Sequence, residues 1–386
     1  MKLMERRKEN SMLQQKKATT GNRSTKTFPF YRFSGTHRQI GQQYGEACSK
    51  LIKKHLDYVL ERLQSKANIS HIQVIEEAAL KYRSYVKQFT PFLDEEIQGV
   101  AEGAGISLGE AYLLQIRAEV NRDFRSVNEC TTFAAMEEAT SDGVPLIGQN
   151  ADLPAFYSEL GVIIEFVPND GPACLMLTPA GQISYIGINN AGLGVFANFL
   201  TCDNWRVGFP RYLFSRLVLT CGSVNEAVVA MRNLHRASSR NLIMLDKHGV
   251  SAVLENTPSR DALVTPVNGL LAHSNHYTAE SLLNEERLSG VELENSQVRL
   301  HRMHTLLEEN HGKLNVHVMQ DILRDRENYP HCLCQMLGDE AKQSPGDNGA
   351  DIITFASVIA QPTKGQLWIA IGPPNQYEYK CYTFSS

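Results

Sequence analysis

The run Asn128-Glu129-Cys130-Thr131-Thr132-Phe133 begins a β-rich stretch on a cysteine. A thiol at a strand start is by itself commonly a small core residue. An internal cysteine can also attack the carbonyl carbon of the residue before it, exchanging the amide for a thioester. Water then releases the upstream piece and leaves the cysteine as a new N-terminus. The freed α-amine has an ordinary pKa of about 7.7–8.0, close to the roughly 8.5 of a thiol, so it can serve as general base for its own side chain. In this chain the scission would fall between Glu129 and Cys130, after the polar segment Asn121-Arg122-Asp123-Phe124-Arg125 that leads up to it.

Two downstream stretches carry groups suited to that chemistry. In "GQNADL" (148–153), Gln149, Asn150 and Asp152 lie on a strand expected to pair by hairpin with the Cys130 strand. Asp152 would then sit beside Cys130, where a carboxylate can hold a protonated amine by a charge-assisted hydrogen bond. In "AHSNHY" (272–277), Asn275 at a strand end can offer its amide to a developing oxyanion. The flanking His273 and His276 are three apart, a spacing open to metal ligation, to a Cys–His pair or to plain packing.

The elements that must position these groups fall into two regions. Apolar residues recur at helical spacing over 36–66 (Ile40, Tyr44, Leu51, Ile52, Val59, Leu63), and a second helical segment covers 71–89. Pro91 marks a break before another short helix, and Ser107-Leu108-Gly109-Glu110 reads as a capping box opening a helix to about Val120. No strand is expected within 36–120. From Cys130 the pattern changes to short β-rich runs separated by turn signals such as Ser141-Asp142-Gly143 and Asn190-Ala191-Gly192. Two helices follow, over 210–219 and from a Ser223–Glu226 cap to about His235. Strands then resume, "NLIMLDKHGVSAVLEN" turning at His248-Gly249 and "ALVTPVNGLLAHSN" after it. Residues 278–310 and 316–324 read as helical, and strands close the chain. This α+β order predicts two antiparallel sheets packed face to face with helices outside each.

Composition narrows the function classes. A net charge of −4 argues against a general nucleic-acid or anionic-membrane binder, and no apolar run approaches the ~18 residues of a spanning helix. Residues 1–27 carry eight Lys/Arg against Glu5 and Glu9 with no apolar stretch behind them, which predicts a flexible basic tail rather than a secretory signal. Eight dispersed cysteines without a CxxC motif favour a reducing, cytoplasmic setting, and Cys332 and Cys334 lack the partner cluster of a metal site. The phosphate-loop, zincin, nucleophile-elbow and dinucleotide motifs are missing, so no cofactor is called for.

With "ECTTF", "GQNAD" and "HSNHY" in this order, from about Phe30 onward and with "GTHRQIGQQYGE" in the helical front, the chain resembles the acyl-coenzyme A:6-aminopenicillanic-acid acyltransferase family. These are autoproteolytic cysteine peptidases of the N-terminal nucleophile hydrolase superfamily. The resemblance implies a four-layer αββα sandwich and self-cleavage into a helical α chain (28–129) and a catalytic β chain (130–386) that stay together. It implies Cys130 as nucleophile, Asp152 near its freed amine and Asn275 at the oxyanion. The implied substrates are small linear amides, of N-acyl amine or N-acyl amino acid type, or thioesters, with transfer to water or to an amine. The insect β-alanyl-amine hydrolases look like relatives. Glu129 stands where the fungal acyltransferases carry glycine, and Pro373 stands where they carry an arginine. Two alternatives remain at this point: an uncut cysteine hydrolase using His273 or His276 as base, and a catalytically silent binding module on the same fold.

Overall fold

The computed structural model describes residues 22–67, 72–120, 130–338 and 352–385. Glu129, the segment leading up to it and most of the basic tail lie outside the described residues.

The helical front begins with a strand that the periodicity does not announce. β1 (Phe30–Gly35) comes just ahead of Thr36, whose side chain and Gln39 form a capping box that starts α1 (His37–Ala47). The run expected over 36–66 is interrupted at Cys48, and α2 (Ser49–Ala67) resumes at once. Ser49 Oγ donates to the Ala104 carbonyl at this joint (2.9 Å). The segment over 71–89 likewise divides into α3 (Ile72–Leu80) and α4 (Arg83–Phe89). Pro91, expected as a break, is the first residue of α5 (Pro91–Ala104), where its missing N–H costs nothing. α6 (Leu108–Gln115) starts on the expected Ser107–Glu110 capping box, and α7 (Arg117–Val120) completes the region. α1 and α5 meet backbone to backbone. A Cβ on Gly41 would stand 2.1 Å from the Glu96 carbonyl oxygen, and one on Gly99 would stand 2.3 Å from that of Arg38.

From Cys130 the chain builds sheets. They contain β2 (Cys130–Ala135), β3 (Leu146–Pro154), β4 (Gly161–Pro168), β5 (Cys174–Pro179), β6 (Ile186–Asn189) and β7 (Gly194–Asn198). After α8 (Phe214–Val218) and α9 (Val224–Arg232) come β8 (Arg240–Leu245), β9 (Ser251–Asn256), β10 (Asp261–Val264) and β11 (Leu270–His273). α10 (Gly290–Glu309) and α11 (Val316–Leu323) precede β12 (Ile352–Gln361), β13 (Gln366–Ala370) and β14 (Lys380–Thr383). One sheet has the order β1-β4-β5-β6-β7-β8-β9-β10 and the other β11-β2-β3-β12-β13-β14. Both are antiparallel except that β1 pairs parallel with β4, its Phe30 opposite Ile163.

Period-2 alternation sets the layers. Ile164, Phe166 and Met176 face the helical front and pack with Ile40, Tyr44 and Ile97. Their neighbours Ile163 and Leu175 face the other sheet, meeting Ala134, Ile147 and Val358. The far face of that second sheet sets Phe133, Ala135 and Ile359 against Met303, Leu307 and Met319 of α10 and α11. The result is the expected αββα sandwich. All eight cysteines are free. No described helix is long and apolar enough to cross a membrane.

"ALVTPVNGLLAHSN" does not stay in one sheet. It ends the first as β10 and enters the second as β11, turning through Asn268 (φ 50°) and Gly269 (φ 69°). That crossing carries Asn275 to the start of β2.

The helical front is locked to the β half by a fully buried ion pair. Arg216 of α8 donates Nη2 and Nε to Glu96 of α5 at 2.6 and 3.2 Å, and His37 Nδ1 lies 2.6 Å from the same carboxylate. Glu96→Ala would strand the guanidinium in the core. Unfolding in denaturant is expected to show a loss of about 3–5 kcal/mol. A loss below about 1 kcal/mol would mean the pair contributes little.

Candidate active site

Cys130 opens β2 between two partners, β11 on one side and β3 on the other, with Ala151 directly opposite. Its side chain and that of Thr132 turn between the sheets, and Thr131 turns toward α10. The residue is buried, and both of its backbone groups are held by side chains. Its N–H donates to Asn275 Oδ1 (2.7 Å), while its carbonyl accepts from Asn198 Nδ2 (3.0 Å) and Arg299 Nη1 (2.7 Å). The Tyr185 hydroxyl lies 4.0 Å from Sγ. Burial pushes the Cys130 thiol up to about 11, and the Asp152 carboxylate adds to the rise. The Asp152 backbone N–H, Arg299 and Tyr185 pull less strongly the other way. In the continuous chain the sulfur is therefore a protonated thiol at neutral pH.

Arg299 is the organising side chain of the site, and it was not among the residues expected from sequence. Fully buried on α10, it donates Nη1 to Thr131 Oγ1 (2.7 Å) as well as to the Cys130 carbonyl, and Nη2 to Asn275 Oδ1 (2.8 Å). Nε is spent on Asn295 Oδ1 one turn earlier (2.7 Å), which fixes the guanidinium plane. A faint signal exists in the sequence: Ser296, Arg299, Met303 and Leu307 share the buried stripe of an otherwise polar helix. Asn198, also unexpected, closes β7. Its Oδ1 accepts from Thr132 Oγ1 and from Asn241 Nδ2 (both 2.8 Å), so Nδ2 is turned toward Cys130.

The expected residues sort as follows. Asp152 lies next to Ala151 across from Cys130, but alternation turns its carboxylate to the outer face, where Oδ1 accepts from Thr354 Oγ1 (2.7 Å). Asn275 reaches Cys130 through its carbonyl rather than its amide. The amide Nδ2 donates to the Phe199 carbonyl (3.1 Å), which leaves one of its two hydrogens for another acceptor. Gln149 and Asn150 hold structure: Gln149 Oε1 accepts from the Ala197 N–H, and Asn150 Nδ2 donates to the Leu323 and Leu333 carbonyls. Both ring nitrogens of His273 are engaged, with the Ser274 carbonyl and with Glu255 Oε1 (2.8 Å each). His276 Nδ1 meets Ser296 Oγ (2.7 Å), and burial, followed by His273 and Arg299, pulls its pKa down to about 4. Neither histidine is hydrogen-bonded to Cys130. Among the described residues no cluster of His, Cys, Asp or Glu could hold a metal ion.

Beside Cys130 is a cavity of about 20 Å³, room for roughly one water. Tyr185, Tyr212, Phe199, Arg211 and Arg240 help to line it, and none of the described side chains lining it is acidic. The arrangement as a whole can present a buried thiol, fix the nitrogen attached to its Cα, and admit a small polar reactant.

The profile of the family described as acyl-coenzyme A:6-aminopenicillanic acid acyl-transferase matches residues 139–376. The acyl-coenzyme A:6-aminopenicillanic-acid-acyltransferase 40 kDa form of Emericella nidulans is 28% identical over 304 residues, spanning 78% of this chain and 83% of that protein. Among solved structures, a conjugated bile acid hydrolase from Clostridium perfringens aligns at TM-score 0.46 and 15% identity, covering 66% of this chain and 97% of its own. A penicillin V acylase from Agrobacterium tumefaciens aligns at 0.41 and 13%, covering 63% and 83%.

Proposed function

The chain belongs to the acyl-coenzyme A:6-aminopenicillanic acid acyl-transferase family, and from that premise we propose that it cleaves itself before Cys130 and then hydrolyses or transfers the acyl group of a small linear amide through a Cys130 thioester. It is an acyl-transferring enzyme of amide bonds. The observation that carries the self-cleavage reading is the cradle around Cys130 N. This atom would become the α-amine, and it already lies 2.7 Å from the carbonyl oxygen of a buried asparagine oriented by Arg299.

In the first step Cys130 Sγ adds to the Glu129 carbonyl carbon. The bond to Cys130 N breaks, the nitrogen takes the thiol proton, and a thioester remains. Water hydrolyses it, returning a thiol and leaving Glu129 with a free carboxylate. In each later turnover the neutral amine takes the Sγ proton as sulfur adds to the substrate carbonyl. The amine then hands that proton to the leaving nitrogen as the C–N bond breaks. Water or an acceptor amine attacks the thioester in the second half.

Asn275 has two tasks in this scheme. Its Oδ1 holds the amine, and the amide hydrogen not given to Phe199 stabilises the oxyanion together with backbone N–H groups. Asp152 supports the protonated amine electrostatically.

The piece upstream of Cys130 should remain bound after scission. β1 keeps its six residue pairs with β4, and the α1–α6 face stays buried on the first sheet. The expected result is two bands on a denaturing gel, 1–129 and 130–386, that elute as one species from a native sizing column. One band on the denaturing gel, or two species on the native column, counts against the proposal.

A further inference from the structure

We propose that Arg211 and Arg240, backed by Arg117, form an anion subsite beside Cys130 that receives a carboxylate carried by the substrate. The inference rests on the reading of Cys130 as the acyl-accepting nucleophile, and it narrows the substrate class.

Three guanidiniums converge on one ring. Arg117, Arg211 and Arg240 place Cζ 4.7, 5.2 and 5.2 Å from the centroid of Tyr212, and all three residues are buried. Arg211 and Arg240 line the cavity that touches Cys130. Arg211 Nε and Nη1 and Arg117 Nε and Nη2 are buried with no hydrogen-bond partner among the described residues. Arg240 Nη1 donates to the Arg211 carbonyl (3.2 Å), and Arg117 Nη1 to the Tyr157 hydroxyl.

Among the described residues one carboxylate is close. Glu119 Oε1 accepts from the Arg211 backbone N–H (2.9 Å) and from Ser238 Oγ (2.8 Å), so its hydrogen bonds go to uncharged groups. Among the described residues three buried cations face one buried anion, an unbalanced set. Cation–π contacts offset only part of the cost of burying them.

The electrostatics are uneven across the three: burial works against Arg117, yet Tyr157, Tyr212, Tyr185 and Glu119 hold it above its usual value, whereas Arg240 is not so compensated. Burial pulls Arg240 down to about 10, with Arg211 adding to the fall. Burial would raise the Tyr212 hydroxyl, yet Arg117, Arg211 and Arg240 together bring it below its usual value. A carboxylate accepting from Arg211 Nη1 or from its Nε edge would supply the missing charge and one of the missing acceptors. The cavity as it stands holds roughly one water and must widen to admit that carboxylate; because it touches Cys130, the carboxylate would then lie within a few bonds of the scissile carbonyl. An N-acyl amino acid fits this description on the amine side, and a dicarboxylic acid monoamide fits it on the acyl side.

The experiment uses the processed wild-type protein and two matched substrate pairs. N-acetylphenylalanine against N-acetylphenethylamine tests the amine side, and glutaryl against valeryl p-nitroanilide tests the acyl side. In one arm kcat/KM is expected to favour the charged member by about 10- to 100-fold. Arg211→Met and Arg240→Met should each bring that ratio toward one, with Arg211→Lys recovering part of it. Calorimetric binding of 3-phenylpropionate against 3-phenylpropanol reads the subsite without turnover. Preferential binding of the acid, lost in Arg211→Met, supports the subsite even if no amide is cleaved. Acylation at Cys130 with no preference for the charged member in either arm overturns the subsite and leaves the function standing. A preference unchanged in both methionine variants also overturns it.

Discussion

Cys130→Ala is expected to yield one uncut chain with amidase activity reduced by about 10⁴-fold or more, the scale seen when a nucleophile is removed from a covalent mechanism. In the proposed scheme one sulfur atom starts both reactions, so scission and turnover should disappear together. Stability should change little, by roughly 1 kcal/mol or less. The substitution removes a single buried atom, while the backbone bonds to Asn275, Asn198 and Arg299 do not involve Sγ. Thermal melting beside activity separates loss of chemistry from loss of fold. Two fragments from this variant, or wild-type turnover, would remove Cys130 from the mechanism.

The second large effect belongs to Arg299, which in the proposed scheme positions the reacting groups without being the nucleophile. Its guanidinium bonds Asn275 Oδ1, the Cys130 carbonyl, Thr131 Oγ1 and Asn295 Oδ1, so Arg299→Met leaves four buried oxygens each short of a donor. A stability loss of about 2–4 kcal/mol is expected in denaturant. The kinetic signature is more specific. Asn275 loses the bond that fixes its orientation, and kcat should fall by about 10²–10³ with KM nearly unchanged, measured well below the melting temperature. Arg299→Lys keeps a charge but not the planar fork, so it should recover stability more than kcat. Equal recovery of both, or a change confined to KM, would reduce Arg299 to a packing role.

These two residues also mark what the sequence makes legible. Cys130 stands out because the pattern changes from helical to β-rich there, and because the hairpin to "GQNAD" is short enough to read from local turns. The Ser107 capping box and the layer order are local in the same sense. Arg299 lies 169 residues from Cys130, in a helix whose charges look like any solvated face. Only the fold shows that this one arginine points inward. Arg117, Arg211 and Arg240 come from three separate elements and meet on Tyr212, a convergence that no window of sequence contains. β1 escapes periodicity because it is a short edge strand whose partner is 133 residues away, Phe30 opposite Ile163. "AHSNHY" is read correctly as a strand end. Its histidines draw attention to metal or base chemistry, while the structure commits them to Glu255, Ser274 and Ser296. Glu129, on the upstream side of the proposed scissile bond, lies outside the described residues.

Intact-mass spectrometry of the purified protein, before and after exposure to an electrophilic acyl donor, tests the central claim most directly. The account predicts a fragment whose mass corresponds to residues 130–386, with Cys130 at its N-terminus, gaining one acyl group that maps to that residue. A single 386-residue chain that gains no acyl group at Cys130 would contradict it.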